Sequence, residues 1–377
     1  MTTLVSGSAL RRAGALSSFA AGLLFNLQAI AQEPPWVAED GTLHTPGLTI
    51  PPSDLWSAEF GKFYAKAALE KFRKPFYSVP AKDAPPAEWD AFFAWNEQEI
   101  AEPLAWNLAH YPVDIQETRL AGVPVAVVTP KGGVAPRNAK RVLINLRGGG
   151  FIFNHGLTWG KLESIPVASL GGFKVITVDY RQAPKYRHPA ATEDVELIYK
   201  ELLEQYRPGA IGIYGCSAGG FLTAQVAARL QKSALPRPGA IGILCAAAGS
   251  FERLGDSKLW GPGIVPGMQF TPQMLQAAKP GRWYMEGTDL RDPLAYPASS
   301  DDVLAKFPPT LLLVGTRELA MSAAIATNTR LLRLGVDSTI YMMEGAPHAS
   351  HVLAVGTPEA KDANAYIATW FDRHLSR

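Results

Sequence analysis

Ser217 stands in Gly215-Cys216-Ser217-Ala218-Gly219-Gly220, between an apolar β-like run at 210–214 and a helix-like run at 221–230. The Gly-x-Ser-x-Gly spacing has a mechanical reason. A serine on a sharp strand-to-helix turn has a strained backbone, so its neighbours must be small, and the helix that follows points N–H groups at developing negative charge. Such a nucleophile elbow implies attack by a hydroxyl on a carbonyl, which needs a base and an acid to hold that base. Run 309–314 reads as a buried strand leading into Gly315-Thr316-Arg317-Glu318, and run 338–343 reads as the next strand, leading into Glu344-Gly345-Ala346-Pro347-His348. Open parallel sheets gather functional groups just past the carboxyl ends of their strands. His348 is therefore expected to take the proton from Ser217, with Glu318 fixing the imidazole tautomer and stabilising the imidazolium. Asp292 is the rival acid, but it precedes its strand instead of ending it. Among the other histidines, His44, His110, His155 and His188 come before the acid, and His351 and His374 read as packing or surface residues.

A second buried run, 141–146, leads into Arg147-Gly148-Gly149-Gly150-Phe151, where the glycines leave backbone amides uncovered. This stretch resembles the oxyanion loop of lipases and esterases. Gly149 and Gly150 would lay two N–H groups beside the carbonyl oxygen under attack, with a third from Ala218. Together with 178–184 (Val-Asp-Tyr-Arg-Gln-Ala-Pro), His188-Pro189-Ala190-Ala191 and Glu193-Asp194, these ordered motifs span most of 113–377. The chain resembles the bacterial hormone-sensitive-lipase-like carboxylesterases, a branch of the α/β-hydrolases.

The resemblance implies hydrolysis of a small-molecule ester through an acyl-enzyme on Ser217, without cofactor or metal, under a cap of N-terminal helices. It also implies a structural role for Asp179, Tyr180 and Arg181. Two positions depart from the family pattern: Arg147 replaces a histidine, and Cys216 replaces an aspartate, glutamate or threonine. Neither supplies a triad group or an oxyanion N–H, so they bear on loop geometry and substrate range. Arg147 and Phe151, flanking the glycines, are the candidate substrate-binding side chains. An arginine at that place either pairs with a protein carboxylate or meets an anionic substrate, since a buried charge without a partner is costly. Lactones and activated amides suit the same residues as esters. The reading from a different class is a non-catalytic ligand-binding protein on a hydrolase scaffold, against which all three triad residue types are present.

The elements that must position these groups alternate. Strands are expected at 113–120, 123–130, 141–146, 174–179, 210–214, 240–245, 310–314 and 338–343, and helices at 190–206, 217–231, 321–334 and 358–375. That is an α/β pattern, a mostly parallel central sheet with helices on both faces. The expected organisation is a secretory signal peptide at 1–31, an N-terminal extension with cap helices at 32–112, and an α/β-hydrolase core at 113–377 with a cap insertion near 250–297. Aromatic residues crowd 52–110, and most are expected to pack on one another with a minority lining the pocket.

With 377 residues, 47% hydrophobic and 19% charged, the chain can bury one large core. A formal charge of +2 gives no reason to expect nucleic acid or an anionic membrane as partner. Arg11-Arg12, the apolar stretch 13–30 and Ala29-Ile30-Ala31 before Gln32 have the parts of a signal peptide, so a periplasmic or secreted protein without a stable membrane anchor is expected. A homodimer is compatible with this reading. Cys216 and Cys245 end neighbouring strands, and they are either buried thiols or a disulfide.

Overall fold

The expected runs become strands, and those in the middle of the sheet are buried on both sides. They are β3 (Val113–Leu120), β4 (Val123–Pro130), β5 (Val142–Leu146), β6 (Lys174–Val178), β7 (Ile211–Cys216), β8 (Ala240–Leu244), β9 (Thr310–Gly315) and β10 (Ser338–Met343). One sheet takes all eight in the order β10-β9-β8-β7-β5-β6-β4-β3. The pairings β3–β4 and β4–β6 are antiparallel and the rest are parallel. β3 and β4 turn at Ala121-Gly122, both at positive φ, which suits the twist of a two-residue hairpin. In this computed structural model the described residues are 51–73, 79–250, 255–259 and 283–376, with two short strands further upstream, β1 (Trp36–Val37) and β2 (Leu43–His44), which pair antiparallel. Met1–Pro51 and Pro52–Arg377 form separate compact units. The signal-peptide segment and most of the insertion expected near 250–297 lie outside the described residues.

Side chains alternate across the sheet into two cores. β5 sends Val142, Ile144 and Leu146 to one side and Leu143 to the other, and β7 divides Ile211 and Ile213 from Tyr214 and Cys216. The first core packs under α4 (Ala190–Leu202), α5 (Ala218–Lys232) and α7 (Met321–Arg333), with α6 (Asp301–Leu304) beside it. The second packs under α3 (Thr158–Gly171) and α9 (Pro358–His374). With apolar groups needed on both faces, no polar alternation survives in the central strands, hence the unbroken runs. α9 starts where Thr357 accepts the Ala360 N–H and Pro358 presets the first turn. α8 (Ser350–Leu353) lies between β10 and α9. The helix expected to reach residue 206 ends at Leu202 and continues as turns.

α3 is the one core-covering helix that the periodicity missed. It contains Pro166, which has no N–H to give the carbonyl four residues earlier, and that carbonyl, Leu162 O, instead accepts from Asn107 Nδ2 at 3.1 Å. Asn107 belongs to α2 (Pro86–His110), the second of two N-terminal helices after α1 (Ala58–Arg73). The aromatic residues here pack on each other and on the chain behind the glycine loop. Trp89 lies 6.0 Å from Trp283, Phe92 5.2 Å from Phe153, and Phe93 3.9 Å from His155, centroid to centroid.

Candidate active site

β7 ends in a turn that only small neighbours permit. Ser217 has φ 59° and ψ −119°, a region that side chains other than glycine rarely occupy, at a cost of about 1–3 kcal/mol. A Cβ on Gly215 would come 2.1 Å from Leu146 O, and one on Gly219 would come 1.7 Å from the same atom. The glycines of the motif are thus dictated by the approach of β5. Ser217 occupies the N-cap of α5, yet its side chain caps nothing. Its Oγ is turned to His348 Nε2, 2.9 Å away.

The acid and the base arrive on adjacent parallel strands. His348 Nδ1 lies 2.7 Å from Glu318 Oε1, and Glu318 Oε2 accepts the Gly315 N–H at 3.0 Å. Glu318 is fully buried. With a carboxylate against Nδ1, the ring proton belongs there, which leaves Nε2 free to accept from the Ser217 hydroxyl. The two loops are tied together by Thr316 N–H to Met343 O at 3.0 Å, Arg317 N–H to Ala346 O at 3.1 Å and Gly345 N–H to Thr316 Oγ1 at 2.7 Å. Asp292 is elsewhere. It accepts the Leu294 N–H within its own turn, and its charge is felt by His188.

After β5 the chain turns left-handed at Gly149, Gly150 and Phe151, with φ of 126°, 58° and 59°. The amides of Gly149, Gly150 and Ala218 donate to no described residue. They are available to an oxygen, as a site for developing negative charge requires.

Two expected substrate contacts are corrected. Phe151 is fully buried, stacked on Tyr284 at 4.3 Å with Phe221 edge-on, because positive φ turns the ring into the first core instead of toward the cleft. Arg147 is fully buried too, and both Nη groups of its guanidinium are held by the protein, while Nε has no hydrogen-bond partner among the described residues. Nη2 meets Asp179 Oδ1 at 2.8 Å and Tyr180 O at 3.2 Å, Nη1 meets Gln182 Oε1 at 2.5 Å, and the group lies 4.4 Å over the Tyr180 ring. Tyr180 in turn donates its hydroxyl to Arg147 O at 2.6 Å. Of the two roles open to this arginine, the geometry is that of the loop brace. Arg181 is anchored by Asp194 at 2.8 Å and Glu193 at 3.2 Å.

Cys216 and Cys245 are buried and free. Cys245 Sγ lies 3.6 Å from Nδ1 of His351, a buried histidine whose pKa burial pushes down to about 3. A cavity of about 370 Å³ beyond His351, lined in part by Trp106, Tyr111, Pro166 and Val352, touches none of Ser217, Glu318 and His348. It is not the acyl site. Motif order also passed over Gln182, the arginine's second partner, and Glu163, a carboxylate buried behind the glycine loop. The signal available for Glu163 was its place as the lone acid in an otherwise apolar and small-residue stretch, 162–173.

Residues 143–352 match the α/β hydrolase fold family. An acetyl-hydrolase of Streptomyces hygroscopicus is 29% identical over 246 residues, which cover 62% of this chain and 77% of the relative. The esterase LipU of Mycobacterium tuberculosis is 28% identical over 234 residues, 60% of this chain and 76% of the relative. Among solved structures, esterase E25 superposes with a TM-score of 0.76 at 28% identity, over 88% of this chain and 99% of the other. The sheet, the elbow and these likenesses define an α/β-hydrolase. The chain belongs to that family, and within it the chain is a serine hydrolase acting on carboxylic esters.

Proposed function

We propose that the enzyme cleaves small to medium carboxylic esters, aryl esters among them, through an acyl-enzyme on Ser217. The observation that carries this is the line from Glu318 to His348 to Ser217, with separations of 2.7 and 2.9 Å. Ser217 Oγ attacks the carbonyl carbon while its proton passes to His348 Nε2. The carbonyl oxygen becomes an oxyanion held by the N–H groups of Gly149, Gly150 and Ala218. The tetrahedral adduct collapses, the alcohol leaves with the proton from His348, and the acyl group stays on Ser217. Water then attacks the acyl carbon, giving its proton to His348, and Ser217 leaves as it recovers that proton.

An activated amide is the second reading. Rabbit arylacetamide deacetylase is 34% identical over 128 residues, about a third of each chain, and the acetyl-hydrolase likeness likewise points to a short acyl group. The test is turnover of neutral and anionic aryl esters of graded acyl length, beside a lactone and an aryl amide. Ester turnover that is fastest with short acyl groups supports the proposal, and turnover of none of the esters sinks it. In the same panel, Arg147→Met is expected to lower Tm and to slow neutral and anionic esters alike. Breaking a buried pair costs about 3–5 kcal/mol, and the half-open side of Asp179 puts this one toward the lower end. A KM rise confined to the anionic esters would return Arg147 to substrate recognition.

We also propose export. The signal-like pattern of Arg11-Arg12, the apolar stretch and Ala29-Ile30-Ala31 supports it. Protein recovered from the native envelope is expected to begin near Gln32, and an intact Met1 terminus would contradict this.

A further inference from the structure

Glu163 projects from the second turn of α3 toward the carboxyl end of β5, and it is buried. No lysine or arginine pairs with it among the described residues. Its partners are all N–H donors. Oε1 accepts from the Gly148 amide at 2.9 Å and from Trp159 Nε1 at 2.5 Å, and Oε2 accepts from Asn145 Nδ2 at 2.8 Å. The Cys216 backbone lies near enough to favour the charged carboxylate. Asn145 is held in turn by the Thr177 hydroxyl, 2.7 Å from its Oδ1. One carboxylate therefore takes the amide of the first glycine of the oxyanion loop and lies close to the backbone of the residue just before Ser217.

We propose that Glu163 is a positioning residue for the reaction: its carboxylate fixes the Gly148 amide, and with it the next two N–H groups, against the turn that carries Ser217. This rests on the reading of Gly149 and Gly150 as oxyanion donors. The distance between those donors and the serine sets how well the oxyanion is held, and errors of a fraction of an ångström matter at such sites. Gly148 lies down on this carboxylate. A Cβ there would meet Cys216 O at 2.9 Å, Trp159 Nε1 at 3.2 Å and Glu163 Oε1 at 3.3 Å. Burial pushes the Glu163 carboxyl up to about 7 despite the bonds from Asn145, Gly148 and Trp159 and the nearby Cys216 backbone, so the fold holds an acid where an apolar residue would be cheaper to bury. An apolar residue could not take the Gly148 N–H.

Three variants of the full-length enzyme test this. Glu163→Gln keeps an oxygen at the reach of Gly148 and Trp159, and its NH2 can be met if the Asn145 amide turns over and Thr177 accepts. Glu163→Asp is one methylene short, and Glu163→Ala removes the acceptor. Asp and Ala are expected to lower kcat about 10- to 100-fold with KM within threefold, and Gln to recover most of kcat. Inhibition by an arylboronic acid, whose tetrahedral adduct places an oxygen among the same donors, should weaken by the same factor as kcat. The idea is overturned if Asp and Ala keep kcat within threefold whatever their Tm, if the loss falls on KM, or if Gln is as slow as Asp. Fluorophosphonate labelling of Ser217 separates the two readings. An unlabelled wild type overturns the catalytic reading and this one with it, whereas labelled variants of unchanged kcat overturn this one alone.

Discussion

Ser217→Ala is expected to lower kcat by about four to six orders of magnitude while ester binding stays within a few-fold. His348 would remain held by Glu318, and the three N–H groups would still polarise a bound carbonyl, so what activity survives is what those donors give to water as the attacking group. No acyl-enzyme can form. Because alanine inherits the positive φ of the elbow, the fold gains no relief of backbone strain, and Tm should change little. Steady-state rates on an aryl ester, with inhibitor binding measured in parallel, check this. Activity within tenfold of wild type would mean that the nucleophile is another residue.

Glu318→Gln is expected to cost about 10³- to 10⁴-fold in kcat, and Asp292→Asn no more than a few-fold. The carboxylate meets Nδ1 at 2.7 Å inside a fully buried site, where its charge both selects the Nδ1–H tautomer and offsets the imidazolium that forms when Ser217 gives up its proton. A glutamine amide can instead donate to Nδ1, which moves the ring proton to Nε2 and leaves the hydroxyl without an acceptor. Asp292 bonds only its own turn as far as the reaction is concerned, so its charge can be removed cheaply. The opposite ranking of the two variants in kcat would show that the acid is misassigned.

The parts of this site that motif and strand order could reach are those whose geometry is forced locally. Ser217, Glu318 and His348 each sit within a few residues of a strand end, and runs such as 123–130 and 338–343 coincide with the observed strands. What escaped reading depends on contacts between distant segments. α3 carries Gly160, Ile165, Pro166 and Gly171, so neither propensity nor a polar face announces it, and its broken hydrogen bond is mended by Asn107, 55 positions away. Glu163 escaped with it. Phe151 was read by its place beside the glycines, but a single positive φ decides which way a ring points, and no residue type reveals that beforehand. For Arg147 the choice between brace and recognition turned on Asp179 and Gln182, which only the pairing of β5 with β6 brings near.

The order of strands across the sheet has a consequence for how activity is acquired as the chain folds. β5 and β7 are joined in register from Val142↔Ile211 to Leu146↔Gly215, so their pairing alone brings the elbow to its oxyanion loop. The acid follows β9 and the base follows β10, the last two strands in the chain and the two at that end of the sheet. A chain that stops short of β10 has a serine in place and nothing to take its proton. Ester turnover therefore reports the docking of the last strand, where helical content reports only the helices already formed.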